Sequence, residues 1–292
     1  MDETDFISSA RLAIVGLGLM GGSLAMALQG KCAALLGVDA DPQTVELALR
    51  GKIVHQASDQ LEAILPQADV IILATPVRAI LSMLQQLPHV HPGQAVVMDL
   101  GSTKREIVRR MQGLPQRFEP IGGHPMCGKE RGSLFNAEAT LFQGAAFVLT
   151  PLERTTARAR LVAEQIVQAV GARPLWLEAE LHDQWAAAVS HLPYLTANAL
   201  AAAVPLEARA MVGPGLRSTI RLAPSSLPMM LDILATNGDN VLESLRRFRQ
   251  AMDQLEAALL DEGQETLQAL LLRGAENYRR LTDDRSDDRD GT

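Results

Sequence analysis

His124 follows two glycines and precedes a proline, in Gly122-Gly123-His124-Pro125-Met126-Cys127-Gly128-Lys129-Glu130. Read alone, that setting holds an imidazole on a rigid, exposed turn rather than on a helix face. An imidazole titrates near neutrality. Beside a hydride acceptor it can take a proton from a hydroxyl as hydride leaves the same carbon. A structural histidine is the simpler alternative. Glu130 is either a partner of this group or a surface charge.

Three other stretches carry residue types suited to a small polar ligand. In Asp99-Leu100-Gly101-Ser102-Thr103-Lys104, Ser102 stands just past an apolar run, where its hydroxyl could meet a ligand. Thr103-Lys104-Arg105-Glu106 also reads as a T-x-x-E capping box, so this stretch could simply start a helix. Ser190-His191-Leu192-Pro193-Tyr194 sets polar groups inside an apolar helical segment. His191 is either a ligand contact or a core histidine with a partner, because an unpaired buried imidazole is costly. Arg217 and Arg221 lie in Leu216-Arg217-Ser218-Thr219-Ile220-Arg221-Leu222. They could clamp a carboxylate in bidentate fashion, or they could be solvated surface charges. His55, His89, His91 and His182 lack metal-ligand spacing, so no metal is expected.

The element that must position these groups is Arg11 to Asp39. An apolar run, Leu12-Ala13-Ile14-Val15, leads into Gly16, Gly18 and Gly21 in the spacing G-x-G-x-x-G, with Leu19 and Met20 between the last two. A helical run and a second apolar run, Ala34 to Val38, follow and end on Asp39. This is the order of a dinucleotide-binding βαβ unit. Gly16 allows the tight turn, Gly18 lets a pyrophosphate approach the backbone, and Gly21 lets helix and strand pack closely. The helix N-terminus then faces the phosphates. Asp39, eighteen residues after Gly21, would accept hydrogen bonds from a ribose hydroxyl and repel a 2′-phosphate, which favours NAD over NADP. Its plainer role is as a strand-end turn residue ahead of Asp41-Pro42. Thr75-Pro76 closes the buried run Asp69 to Ala74 and either lines the cofactor crevice or only terminates the strand.

Alternation of short apolar runs with helical segments continues to about Glu178. It predicts an α/β fold, a Rossmann-type, doubly wound, mainly parallel sheet. Within it, Ile53-Val54 reads as extended, Ser58 to Leu65 and Lys104 to Met111 as helices, and Phe118 to Ile121 as a short strand. From Leu181 the texture is helical only, with an interruption at Pro193 and a break at Gly213-Pro214-Gly215. The expected domains are 1–178, dinucleotide-binding; 179–282, all-α; and 283–292, a charge-dense disordered tail. The apolar faces of the last helices predict a homodimer, against a monomeric bundle as the simpler alternative. Net charge of −7 argues against nucleic-acid binding. Two cysteines in no metal-ligand pattern fit a reducing, cytoplasmic location. The acidic N-terminus lacks an apolar core, and no apolar run is long enough to span a bilayer.

Taken in order, V-G-L-G-L-M-G-G-S, D-L-G-S-T-K, G-G-H-P-M-C-G, F-V-L-T-P, S-H-L-P and G-L-R-S-T-I-R-L-A resemble the prephenate/arogenate dehydrogenases of tyrosine biosynthesis, over roughly residues 11 to 281. The glycine motif is shared with many dehydrogenases; the G-G-H-P, S-H-L-P and arginine segments are far more specific. The resemblance implies a Rossmann domain with a helical dimerisation domain. It also implies an NAD(P)-dependent oxidative decarboxylation that converts prephenate to 4-hydroxyphenylpyruvate, or arogenate to tyrosine. It further implies that His124 is the catalytic histidine at the C4 hydroxyl, that Ser102 orients it and the substrate, and that Arg221 binds the ring carboxylate. Glu130 and His191 match further active-site positions.

The chain departs from the pattern where Tyr194 replaces a second His found in some members, where Ser218 replaces a frequent Asp, and where Leu231 replaces an indole. Those positions bear on recognition of the substrate side chain, which is keto in prephenate and amino in arogenate. No mutase-like segment precedes residue 11 and no regulatory domain follows 281, so a monofunctional enzyme is expected. A 3-hydroxyacid dehydrogenase would need a catalytic Lys on the helical half, and no Lys follows Lys129. A silent NAD-sensing module would not need His124, Ser102 and Arg221 together.

Overall fold

The structure is a computed structural model that describes residues 5–129, 132–261 and 264–283. By contact density the chain falls into two units, Met1–Val241 and Leu242–Thr292. The strands are β1 (Arg11–Val15), β2 (Ala34–Val38), β3 (Gln56–Ser58), β4 (Val70–Leu73), β5 (Ala95–Asp99), β6 (Phe118–Pro125), β7 (Ala146–Thr150) and β8 (Arg173–Trp176). They form one sheet in the order β3-β2-β1-β4-β5-β6-β7-β8, parallel except for the β6–β7 pair. Chain order reverses between β1 and β4, the position at which open α/β sheets bind ligands.

The helices alternating with the strands are α1 (Leu19–Ala27), α2 (Pro42–Arg50), α3 (Leu61–Ile64), α4 (Val77–Val90), α5 (Arg105–Gln112) and α6 (Ala157–Ala169). The sheet is covered on both faces, which is why its strands read as continuous rather than alternating apolar runs. Leu12 and Ile14 of β1 and Val70 and Ile72 of β4 pack with Leu24, Leu28, Val162 and Ile166. Their neighbours Ala13, Val15, Ile71 and Leu73 pack on the other side with Ile80, Leu84, Ile107 and Met111.

Several expectations are corrected. Ile53 and Val54 lie in a buried turn, and the strand comes later, at Gln56–Ser58. The helix expected over Ser58 to Leu65 is one turn, Leu61–Ile64, followed by a 3₁₀ turn. The strand expected to stop at Ile121 runs on to Pro125, because antiparallel β7 supplies pairing for Gly122 through Pro125. His124 therefore sits on a paired strand end and is only partly exposed, instead of on an exposed turn.

The remainder of the first unit is helical: α7 (Ala179–Ala186), α8 (Leu192–Ala203), α9 (Pro214–Thr219) and α10 (Leu227–Thr236), with α11 (Gly238–Leu260) beginning in it. Pro193 does not interrupt the helix. The chain widens into a π segment, Ala187–His191, just before it, and Pro193 falls in the first turn of α8, where no N–H is required. Gly213-Pro214-Gly215 starts a helix: Gly213 is the N-cap and Pro214 the first residue of α9. The second unit holds the rest of α11 and α12 (Gln264–Thr282). All but Asp283 of the expected 283–292 tail lies outside the described residues. No helix among the described residues is long and apolar enough to cross a membrane.

Candidate functional site

The candidate groups of the α/β half collect at the carboxyl ends of four neighbouring strands. Val15, Leu73 and Asp99 are in register across β1, β4 and β5, and Met98 pairs with Ile121 of β6. Gly16, Thr75 and Ser102 thus follow the ends of β1, β4 and β5, and His124 lies in the last residues of β6, the next strand in the sheet. From β1 to β6 the separation is three strand spacings, about 14 Å.

At β1, Gly16 has φ +93° and packs against the β4 exit: a Cβ there would stand 2.7 Å from Thr75 Cγ2 and 2.8 Å from Ala74 O. Gly21 approaches even more closely, its hypothetical Cβ 1.8 Å from Gly16 O. Gly18 meets nothing within 4 Å. Gly18 is the N-cap of α1, and no side chain caps that end. The α1 N-terminus with open space above Gly18 suits a pyrophosphate. Asp39, partly buried, receives the Leu17 N–H on Oδ2 at 2.7 Å and the Asp41 N–H on Oδ1 at 3.0 Å. It is therefore both a turn residue and a carboxylate fixed beside the glycine turn. Thr75 and Pro76 leave β4 directly, with Pro76 the N-cap of α4.

At β5 the expected capping box is absent. Lys104 is the N-cap of α5 with no side-chain cap bond, and the Thr103 hydroxyl pairs with Thr236 Oγ1 at 2.9 Å. The cap comes from far along the chain: the Asp183 carboxylate accepts the backbone N–H groups of Lys104 at 2.7 Å and Arg105 at 3.0 Å. A buried carboxylate with two backbone donors is a stronger cap than a threonine hydroxyl. Lys104 is fully buried against Asp99 in an ion pair. Asp99 also accepts from the backbone of Gly101 at 2.7 Å and Gly123 at 3.3 Å, joining the Ser102 loop to the β6 end. Burial pulls the Asp99 carboxyl up and the Lys104 ammonium down from their ordinary values, and each is held back by the other's charge. Gly123 is required here, since a Cβ would stand 2.6 Å from Asp99 O.

At β6, His124 Nδ1 lies 2.8 Å from His182 Nε2. Ser102, expected to orient His124, makes no hydrogen bond among the described residues and stays partly exposed. Desolvation, reinforced by neighbouring His182, Lys104 and His191, holds His124 well below the ordinary histidine value, so it is neutral at pH 7. Three residues on, burial pushes the Cys127 thiol up to about 11. Of the two groups at this strand end, the imidazole and not the thiol is present in its proton-accepting form at neutral pH. Glu130 lies outside the described residues.

His191 is buried at the end of the π segment, its Nδ1 3.3 Å from Asn237 Nδ2. Asn237 Nδ2 also donates to Asp183 O at 2.7 Å. Tyr194 packs with Met230 and Ile233, which makes it a core residue of the helical part. Arg217 lies in α9 and Arg221 just after it, both exposed. Hydrogen bonds thus join His124, through His182 and Asp183, to Asn237 and His191. No group of three or more His, Cys, Asp or Glu positioned to hold a metal occurs among the described residues. His182, Asp183 and Asn237 were missed because the groups they join are distant in sequence. The available signal was the adjacent His182-Asp183 pair inside an apolar helical run.

Burial also pushes His191 down to about 4, with the nearby His182 adding and Asp183 opposing. A neutral buried imidazole makes the unfolded chain bind more protons than the folded one between about pH 6.5 and pH 4. Stability must therefore fall as pH falls through that window, by about 3 kcal/mol from His191 alone. Urea midpoints at pH 7.5 and 5 should show most of this drop, about 2 kcal/mol, and His191→Asn should reduce it. A pH-independent midpoint in the parent protein would contradict it.

Two family models cover most of the chain: prephenate dehydrogenase, nucleotide-binding domain, over residues 24–175, and prephenate dehydrogenase, dimerization domain, over 178–273. Prephenate dehydrogenase of Bacillus subtilis strain 168 is 30% identical over 269 residues, 88% of this chain and 72% of the relative. Among solved structures, prephenate dehydrogenase from Aquifex aeolicus in complex with hydroxyphenyl propionate and NAD+ matches with a TM-score of 0.84 at 27% identity, covering 94% of this chain and 99% of that one. Synechocystis arogenate dehydrogenase matches with a TM-score of 0.78 at 29% identity, covering 93% and 99%. With its strand-end histidine, glycine turn and helical half all in place, the chain belongs to the prephenate dehydrogenase family.

Proposed function

We propose that the protein is an NAD-dependent prephenate dehydrogenase that oxidatively decarboxylates prephenate to 4-hydroxyphenylpyruvate. The observation that carries this reading is His124, neutral and fixed at a strand end, in the same row of strand ends as the glycine turn. Bound NAD supplies the hydride acceptor. Gly16, Gly18, Leu19, Met20 and Gly21 hold its pyrophosphate at the α1 N-terminus, and Asp39 takes the ribose hydroxyls. Thr75 and Pro76 line the crevice.

In this reading His124 takes the proton of the C4 hydroxyl as C4 loses hydride. The C1 carboxylate then leaves as CO₂ and its electron pair enters the ring. The nascent phenolate recovers the proton from His124, so the residue ends neutral and ready for the next turnover. Ser102 hydrogen-bonds the same hydroxyl. Arg221, with Arg217, holds the ring carboxylate, and His191 and Tyr194 bound the side-chain end.

In this reading residues 1–178 form the dinucleotide domain and 179–282 a helical domain that pairs in a homodimer. Exposed Leu242, Met252, Leu259, Leu271 and Leu272 on α11 and α12 support that pairing. Unpaired Cys32 and Cys127 support a cytoplasmic location.

The test is NADH formation by purified protein with NAD, on prephenate and on arogenate in parallel. Turnover on prephenate with the higher kcat/KM is expected. Preference for arogenate would reassign the substrate, and no NADH on either would overturn the reading.

A further inference from the structure

The position of the hydrogen on His124 follows from its hydrogen-bond chain to Asp183. Asp183 is fully buried. Burial raises its carboxyl most, but hydrogen bonds from His182 and from the Arg105 and Lys104 backbones outweigh that and hold it below its ordinary value. It is a carboxylate and can only accept. His182 Nδ1, 2.8 Å from Asp183 Oδ1, must therefore carry a hydrogen. With Nδ1 protonated, a singly protonated His182 presents a bare Nε2. That atom can only accept, and its neighbour is His124 Nδ1 at 2.8 Å. His124 must then carry its hydrogen on Nδ1, which leaves Nε2 as a lone pair. A doubly protonated His182 would reverse the last bond and put the hydrogen of His124 on Nε2, where it could not act as a base. His182 is taken as singly protonated, a buried imidazole that donates to a buried carboxylate.

We propose that Asp183 and His182 are positioning residues that hold His124 in the Nδ1–H tautomer, with Nε2 as the proton acceptor. This deepens the function proposed above and rests on His124 being the base. When Nε2 takes the substrate proton, the His124 imidazolium donates from Nδ1 to His182, and His182 donates from its own Nδ1 to Asp183. The new charge is stabilised through two hydrogen bonds with no net transfer to solvent. The same carboxylate caps α5, so one buried anion anchors both His124 and the helix that follows the Ser102 loop. Arg105 Nε lies 3.4 Å from Asp183 Oδ2 and pairs with the same anion.

The tautomer is read directly by imidazole ¹⁵N shifts of the labelled wild-type protein near neutral pH. His124 should show a protonated Nδ1 and a bare Nε2; a protonated Nε2 would overturn the proposal whatever any variant does. His182→Leu should shift His124 toward the Nε2–H form that free imidazoles prefer. It should lower kcat by about 10²-fold and leave KM and the NAD Kd near their starting values. His182→Gln, whose carbonyl can accept from His124 Nδ1, should recover part of that loss. If His182→Leu folds and keeps full kcat while His124→Asn does not, the positioning role fails and the base assignment survives. If His124→Asn itself keeps full kcat, the function as proposed fails first.

Discussion

Replacing His124 by Asn is expected to lower kcat by about 10²–10⁴-fold, the range a positioned general base contributes, with the NAD Kd nearly unchanged. The split follows from where each task is done. The groups proposed to hold the cofactor gather on the β1 turn and at Asp39, while His124 lies at the end of β6, three strands along the sheet. Asn is polar, neutral and close to imidazole in reach, and its amide can still donate to His182 Nε2. What it cannot do is take a proton near neutral pH. A deficit in NAD binding of the same size would show that His124 builds the cofactor site instead. Undiminished turnover would remove it from the chemistry. The pH profile adds an independent reading. Because burial holds His124 well below the ordinary histidine value, its base form should persist, and kcat should stay flat, down to distinctly acid pH.

The reach of the sequence differed between the two halves of this site. The glycine turn was legible because its logic is local: each of Gly16, Gly18 and Gly21 answers to atoms within a few residues or to a ligand, and Asp39 lies one strand on. The parallel sheet was legible for the same reason, since buried strands must be apolar on both faces. The support for His124 was not. It comes from His182, 58 residues later, and the cap of α5 comes from Asp183, 79 residues after Lys104. Such partnerships are set by tertiary packing, which carries no periodicity. The T-x-x-E pattern at Thr103 was a real local preference that a buried carboxylate overrode. Lys104 is buried at the helix start, and only the closeness of Asp99 makes that burial tolerable. The strand to Pro125 was cut short in the reading because its partner β7 runs antiparallel against an otherwise parallel sheet, a choice the β6 residues do not announce.

Gly21→Ala and Gly18→Ala should fail in opposite ways, and the contrast tests what the turn is for. At Gly21 a methyl would stand 1.8 Å from the Gly16 carbonyl oxygen and 3.0 Å from Ile14 Cγ2. The first obstacle is backbone in a strained loop, with Gly16 at φ +93°, so it cannot rotate aside. Helix α1 must back away from β1, which loosens Leu24 and Leu28, both fully buried between them. Overpacking of this kind costs about 3 kcal/mol or more, a Tm loss on the order of 10 °C at this size, and NAD binding should go with it. At Gly18 a methyl meets nothing within 4 Å, and φ there is −69°, open to any residue. Ala in place of Gly at an N-cap costs little, so Tm should hold. Yet the added carbon occupies the space through which a pyrophosphate would approach the α1 amides, and the NAD Kd should rise by about 10-fold or more, a loss of roughly 1.4 kcal/mol. Calorimetry and NAD titration on the two variants separate the cases. A Gly18→Ala protein that binds NAD as well as its parent would mean that the phosphates do not lie over this turn, and the cofactor assignment of Gly16, Gly18 and Gly21 would fall with it.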